Sequence, residues 1–388
     1  MRTLRNIRFW TIIALSEIVG CKKPYAPTIT ASNVSYLVVD GVINSGQDST
    51  IIKLSHTVNI SGNVNASPEL NATVTVEDDQ NATHPLSDAG QGKYVSAALN
   101  LDTTHKYHLH IRTAEGKEYL SDYEAVKYTP PIDSIGFTIK NTGVQLYVNT
   151  HDANNSTRYY HWDYSETWKF NTKYQALYIT DGTKLRLRKS EEQIFTCFAN
   201  DVSSTIILGS SANLSRDIIY QNPVTQIAST SEKLETKYSI LLKQYALTKD
   251  AYTFWDNLKK SSEELGTIFD AQPTSLKGNI HCVTNPSEPV IGYISVTNIQ
   301  QKRIFISNDQ LPSTWRTIYP YDCTADSLLF GNSKPDVVDQ FLIAIPPADF
   351  GLGPITDKSG QLLGYVGANA QCTDCTIRGT VKQPDFWK

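Results

Sequence analysis

Few residues in this chain have the types and spacing to do chemistry. His108 and His110 stand two apart in HKYHLHI, with His105 close by, and a histidine pair on one strand face can share a zinc ion. No cysteine or carboxylate completes a ligand set at a readable spacing, so the pair reads as solvated histidines opposite Tyr107 and Leu109. The run EDDQN (77–81) could offer oxygens to calcium. It lacks the glycine-spaced loop of an EF-hand and reads as a polar hairpin turn. Cys372-Thr373-Asp374-Cys375 has CxxC spacing, but no second ligand pair and no thioredoxin-like βαβ pattern accompanies it, so structural bridging is expected. In RYYHWDYSETWKF (158–170), a strand would place Tyr160, Trp162, Tyr164, Trp168 and Phe170 on one face and His161, Asp163, Thr167 and Lys169 on the other. Such an aromatic row is normally core. If exposed, it would be a stacking platform for sugar or peptide, with Tyr160, Trp162, Tyr164 and Trp168 as candidate ligand or partner contacts. Glu166 falls on the aromatic face, which requires either a bulge that resets the register or an internal partner for the carboxylate.

The chain contains no GxSxG, HExxH or P-loop motif. No catalytic residue, metal site or cofactor is assigned, and the expectation is a protein that is not an enzyme. Carboxylate pairs for glycoside hydrolysis act across a cleft, so only a cleft with two facing carboxyl groups would raise that reading. The formal net charge of −4 gives no basic footprint for nucleic acid.

The elements that must position these residues are mostly strands. Residues 34–128 alternate with a period of two between turns: YLVVDGVI, STIIKLSHTV, ATVTVEDDQNATHPL, GQGKYVSAAL and KYHLHIRTAEGKEYLSDYEAV, with Glu115-Gly116 at a hairpin. That density of short strands predicts an immunoglobulin-like or fibronectin-like β-sandwich, with Tyr107, Leu109 and Ile111 facing its core. YTPPIDS (128–134) reads as a linker because two prolines interrupt strand pairing. A second β-sandwich-like domain over 129–388 follows, opening with a hairpin that turns at Asn141-Thr142-Gly143. One helix is inserted at 249–265: Thr248 can cap it, Ala251, Phe254, Trp255, Leu258 and Leu265 share a side, and Gly266 fits the C-cap. PVIGYISVTN and KRIFI are expected to form a hairpin through Ile299-Gln300-Gln301. The tail from 310 is expected to be irregular with short elements.

The N-terminus reads as an address. Arg2, Arg5 and Arg8 precede the apolar stretch FWTIIALS (9–16), which is far shorter than the roughly 20 residues a bilayer core requires. Ile18-Val19-Gly20-Cys21 then matches the bacterial lipobox, with Glu17 as a departure beside it. Residues 1–20 are therefore expected to be a lipoprotein signal peptide. Cys21 would be the lipid-attachment site that ties the chain to a bilayer, and 21–33 a stiff tether stiffened by Pro24 and Pro27. Lys22 and Lys23 stand where an aspartate would signal inner-membrane retention, so an outer-membrane location is expected, with the leaflet left open. Five cysteines follow the anchor: Cys197, Cys282, Cys323, Cys372 and Cys375. Export allows disulfides, and the odd number leaves at least one thiol free or paired elsewhere.

The chain resembles the DUF4249 family of Bacteroidetes lipoproteins. The resemblance is carried by LVVDGVIN (37–44) with IKLSHT, YHLHIRTAEGKEYLSD (107–122), RYYHWDYSETWKF, the stretch YSILLKQYALTKDAYTFWDNLKKSSEELGTIFDAQP (238–273), EPVIGYISV and the terminal CTDCTIRGTVKQPDFW. It implies an outer-membrane, lipid-anchored accessory protein beside a TonB-dependent, SusC-like transporter, working in nutrient capture or uptake. It carries over no catalytic residues. The alternative is a carbohydrate- or peptide-binding surface lipoprotein working alone, with a hydrolase a more distant third.

Overall fold

A computed structural model describes residues 35–58, 67–180, 185–263, 277–319, 321–329 and 350–387. Cys21, the signal-like segment and the tether, along with Leu265 and Gly266, lie outside the described residues. The fold is mainly β and sandwich-like, as predicted.

Alternating apolar residues build the first unit. Its sheet runs, in spatial order, Ile280–Cys282, Glu118–Ser121, Lys106–Arg112, Thr73–Asp78, Thr83–Asp88, Lys93–Ala98, Ser49–His56, Leu37–Asn44 and Val296–Thr297. The sheet curls like a half-barrel, so its inward residues meet in one core. Leu37, Ile52, Leu54, Val76, Tyr94, Leu109 and Ile111 are all nearly inaccessible there. The expected turns are present: Asp78 accepts hydrogen bonds from the Gln80 and Ala82 N–H groups (2.9 and 2.7 Å), closing the polar hairpin, and Gly116 supplies a positive φ at the next one. Residues 277–297, distant in sequence, supply both edges of this sheet. Gly292, with φ +146°, makes the approach feasible, because a Cβ there would lie 2.2 Å from the Val39 carbonyl oxygen.

The second unit packs two sheets face to face. A three-stranded sheet (Ile132–Lys140, Gly143–Asp152, Asp217–Ala228) covers one of Thr196–Val202, Tyr159–Asn171, Lys237–Leu247 and Gln300–Ser307, with Ile207–Ser210 beside Tyr159–Asn171. The Asn141-Thr142 turn joins the first two strands through the Lys140–Gly143 pair, as the sequence indicates. Between the sheets lie Tyr160, Trp162, Phe170, Tyr238, Ile240 and Leu242, all fully enclosed.

Two expectations are corrected. Val296–Thr297 and Gln300–Ser307 do not form a hairpin. The first pairs in parallel with Ile43–Asn44 of the curled sheet and the second antiparallel with Lys237–Leu247, so the chain crosses between units at 298–299. The tail is also more regular than expected: Ala325–Leu329, Leu362–Ala368 and Phe350–Thr356 form a small antiparallel sheet, followed by short helical turns. Cys197–Cys375 ties this region to the second unit and Cys323–Cys372 closes a loop within it, so the CxxC cysteines bond to separate partners and not to each other. Cys282 is the free, buried thiol among the described residues.

The two crossings between the units run side by side. Thr129 of the proline linker is fully buried. Its Oγ1 lies 2.7 Å from that of Thr297 and accepts from the Ala246 N–H at 2.9 Å, while its own N–H donates to Asn298 at 2.8 Å. Gln244, also fully buried, accepts from Trp162 Nε1 (2.8 Å) and donates to the Pro130 carbonyl (2.7 Å) and Thr150 (3.0 Å). The linker is thus stitched into the second core, and the two units are held in a fixed relation.

Candidate functional site

The aromatic row does not form a surface platform. Tyr160 and Trp162 are fully buried and Trp168 is 8% exposed. Tyr164 is half-buried, with its hydroxyl on Thr225 at 3.1 Å. The four candidate contacts are therefore core residues, because the three-stranded sheet covers that face. Glu166 stays on the core side with no bulge: pairing on both flanks continues through it without a shift. Its carboxylate is paired inside, with Lys233 and with the Tyr238 hydroxyl at 2.8 Å.

The histidine pair is likewise not free in solvent. His108 stacks on Tyr123 with ring centroids 4.1 Å apart and is 7% exposed, while His110 bridges Glu77 (2.8 Å) and Glu118 (2.7 Å). Burial pulls the His110 pKa down, but the bonds to the two glutamates outweigh it and hold it above the ordinary histidine value. Among the described residues no group of three or more His, Cys, Asp or Glu side chains is arranged to hold a metal ion.

The other face of Tyr159–Asn171, carrying His161 and Asp163, points into a cleft. There the outer face of the second unit meets the outer face of the curled sheet, and the helix Lys249–Glu263 stands beside them. Thr248 caps that helix, its Oγ1 accepting from the Ala251 N–H at 3.2 Å, and Ala251 and Phe254 seat it. The next residue, Trp255, then stacks on His161 (centroids 4.8 Å, 12° between planes). Tyr245, directly across the ladder from His161, lies on it at 5.6 Å.

Two cross-strand pairs line the walls. Asp163 faces Lys243 on one sheet, and Asp40 faces Lys53 on the other. The main compartment holds about 570 Å³, and an overlapping one of about 460 Å³ extends it toward the loop at 202–206. Both sizes suit a small ligand. Asp40 is open to water inside the cleft yet has protein on most sides. Burial raises its pKa, with Lys53 opposing and Asp163 adding to the rise. Burial also raises Asp163, against the Tyr245 hydroxyl at 2.6 Å and the nearby lysines. His161 is pulled down to about 4 by burial alone, so the imidazole is neutral at physiological pH.

Several carboxylates elsewhere in the molecule are met by partners. Glu288 binds Lys117 and Tyr119 (2.9 and 2.7 Å), Glu124 binds Tyr293 and Asn279 (2.7 and 3.1 Å), and Asp217 binds Tyr160 and Ser211. In the cleft only Asp163 has a hydrogen bond, to Tyr245. Among the described residues, the side chains of Asp40, Lys53, Lys243 and His161 make no hydrogen bond and no contact ion pair. Charged groups of both signs that converge on a cleft without being tied to one another mark it as a candidate ligand site. In the sequence, the signals for this site were an aspartate inside the apolar strand LVVDGVI and the His161/Asp163 alternation opposite the aromatic row. Their convergence is a product of the tertiary fold.

No curated protein matches the chain. Among solved structures, activated α-2-macroglobulin from Escherichia coli shows 8% identity over 78% of this chain and 21% of its own, with a TM-score of 0.19. A Bacillus thuringiensis chitinase shows 11% identity over 51% and 29%, with a TM-score of 0.16. The chain thus spans less than a third of either, and neither resemblance carries weight. The family described as domain of unknown function (DUF4249) matches residues 22–303, nearly all of both β units, and the chain belongs to that family.

Proposed function

We propose that this protein is a lipid-anchored binding protein of the bacterial outer membrane, held by acylated Cys21, which captures a small polar ligand in the junction cleft beside a TonB-dependent transporter. The observation that carries the reading is the cleft itself: charges of both signs that form no contact ion pair and a neutral imidazole, set between two units whose crossings are tied by Thr129, Asn298 and Gln244. The lipobox Ile18-Val19-Gly20-Cys21 supports the anchor, and the two disulfides fit an oxidising compartment outside the cytoplasm. Among the described residues no helix is long and apolar enough to cross a membrane, so attachment in this reading is left to the lipid.

The test is native detergent extraction of outer membranes from cells carrying a C-terminally tagged copy, followed by mass spectrometry. A stoichiometric TonB-dependent barrel in the eluate supports the accessory role. Recovery of the protein alone, under conditions that preserve known transporter complexes, overturns the partnership and favours a binding lipoprotein that acts by itself. A Cys21→Ser copy is expected to lose membrane association, and retention of that association would refute the anchor.

A further inference from the structure

We infer that, given a ligand in the junction cleft as proposed above, the ligand is a neutral saccharide whose hydroxyls bridge the Asp40–Lys53 and Asp163–Lys243 pairs and whose ring packs against Trp255. The charge pattern excludes the simpler classes. An anion would meet Asp40 and Asp163, a cation would meet Lys53 and Lys243, and no arginine fork lines the main compartment to clamp a phosphate or carboxylate. A zwitterion needs its two charges met at separate ends. Here the lining sets Asp40, Asp48 and Asp163 against Lys53, Lys93 and Lys243, so carboxylates and ammonium groups are balanced and mixed along it.

A hydroxyl group suits this mixture because it donates one hydrogen bond and accepts others. Adjacent hydroxyls on one ring can donate to Asp163 or Asp40 while accepting from Lys243 or Lys53, with no net charge brought in. The apolar face of a sugar ring needs a flat partner, and Trp255 supplies one, half-buried and held by its stack on His161. His161, neutral and without a hydrogen bond of its own, adds a nitrogen that can donate or accept. The second compartment shares these residues and continues to the loop at 202–206, leaving room beyond a single sugar ring.

The test uses the full mature chain, purified in detergent. It is applied to an array of neutral oligosaccharides, with mixed tripeptides and inorganic phosphate as comparators, and hits are measured by calorimetry. The expected result is at least one neutral oligosaccharide bound, with affinity falling at least tenfold in Asp40→Asn and in Trp255→Ala. Asp40→Asn carries the weight of the test, because Asp40 makes no hydrogen bond in the fold and its replacement should leave the melting temperature unchanged. Glu115→Gln, on a hairpin outside the cleft lining, should bind as the parent does. Absence of any saccharide binding, or binding unaffected by Asp40→Asn, overturns the inference. Tripeptide or phosphate binding that Asp40→Asn abolishes, with no saccharide bound, overturns the saccharide class while leaving the capture reading intact. Failure of the capture reading itself would show as no ligand of any class together with no barrel in the co-purification.

Discussion

Replacing Glu166 with methionine should be among the most damaging single changes in the second core. The carboxylate is 5% exposed and serves two partners: the Lys233 ammonium and the Tyr238 hydroxyl at 2.8 Å, the latter on a fully buried ring. Removing one member of a buried charged network costs about 3–5 kcal/mol, because the remaining groups stay desolvated. Lys233 is 26% exposed and can turn toward water, which places the expected loss near the lower end, about 3 kcal/mol. For a unit of this size that corresponds to a fall of roughly 6–12 °C in melting temperature. Urea denaturation followed by tryptophan fluorescence is a suitable assay, since the Lys233 ammonium lies 4.8 Å from the Trp168 ring centroid. The triple variant Glu166→Met, Lys233→Met, Tyr238→Phe removes the whole network. It should recover to within about 1–2 kcal/mol of the parent, the residue being the lost cation–π contact and imperfect packing. A single variant that costs less than about 1 kcal/mol, or a triple variant no better than the single, would refute the reading of Glu166 as an internally paired core carboxylate.

Gln244→Leu should destabilise by about 2–4 kcal/mol in the same assay, since it strips Trp162 Nε1 of its partner and unties the Pro130 carbonyl from the second core. The pH dependence should have two opposed parts. His161, pulled down to about 4, contributes stability that is complete above about 6.5 and is lost as pH falls from there toward 4, because the unfolded chain takes up the proton first. His110, held above its ordinary value, contributes stability that is complete below about 6.5 and is lost as pH rises through its folded pKa. Melting curves of His161→Phe and His110→Gln, taken across that range, should each flatten one of the two slopes, His105 and His151 being raised as well by their bonds to Asp79 and Asp133. Without reductant, a thiol reagent should label Cys282, the free cysteine among the described residues, only after denaturation. A Cys375→Ser change should cost about 2–5 kcal/mol by opening a bridge between residues 178 apart.

Much of this architecture is legible in the sequence, for reasons that are local. Period-two alternation in IIKL sets Ile52 and Leu54 on one face, which the fold turns into the core, and the aromatic row over 158–170 proved to be core because five large apolar groups at that spacing must be covered. Thr248 capping, the Asn141-Thr142 turn and the polar hairpin after Asp78 are all contacts within a few residues, so their chemistry is written in short stretches. Glu166 shows the boundary of such reasoning. The sequence marked it as an anomaly on an apolar face, but its partners Lys233 and Tyr238 lie far along the chain, and only packing could bring them there.

By itself, then, the sequence determined the β class, which residues share a strand face, and the helix start. The tertiary structure decided what depends on distant segments meeting. It sends residues 277–297 back to complete the first sheet, and it directs Cys372 and Cys375 to different partners three residues apart in sequence. It covers the aromatic row and leaves the opposite face open. The physical reason is that burial of an apolar face fixes which way a strand turns, whereas the company kept by its polar face depends on which other surface arrives opposite. Asp40 and Asp163 share a cleft only because two chain crossings, tied through Thr129 and Asn298, hold two sheets at one fixed setting.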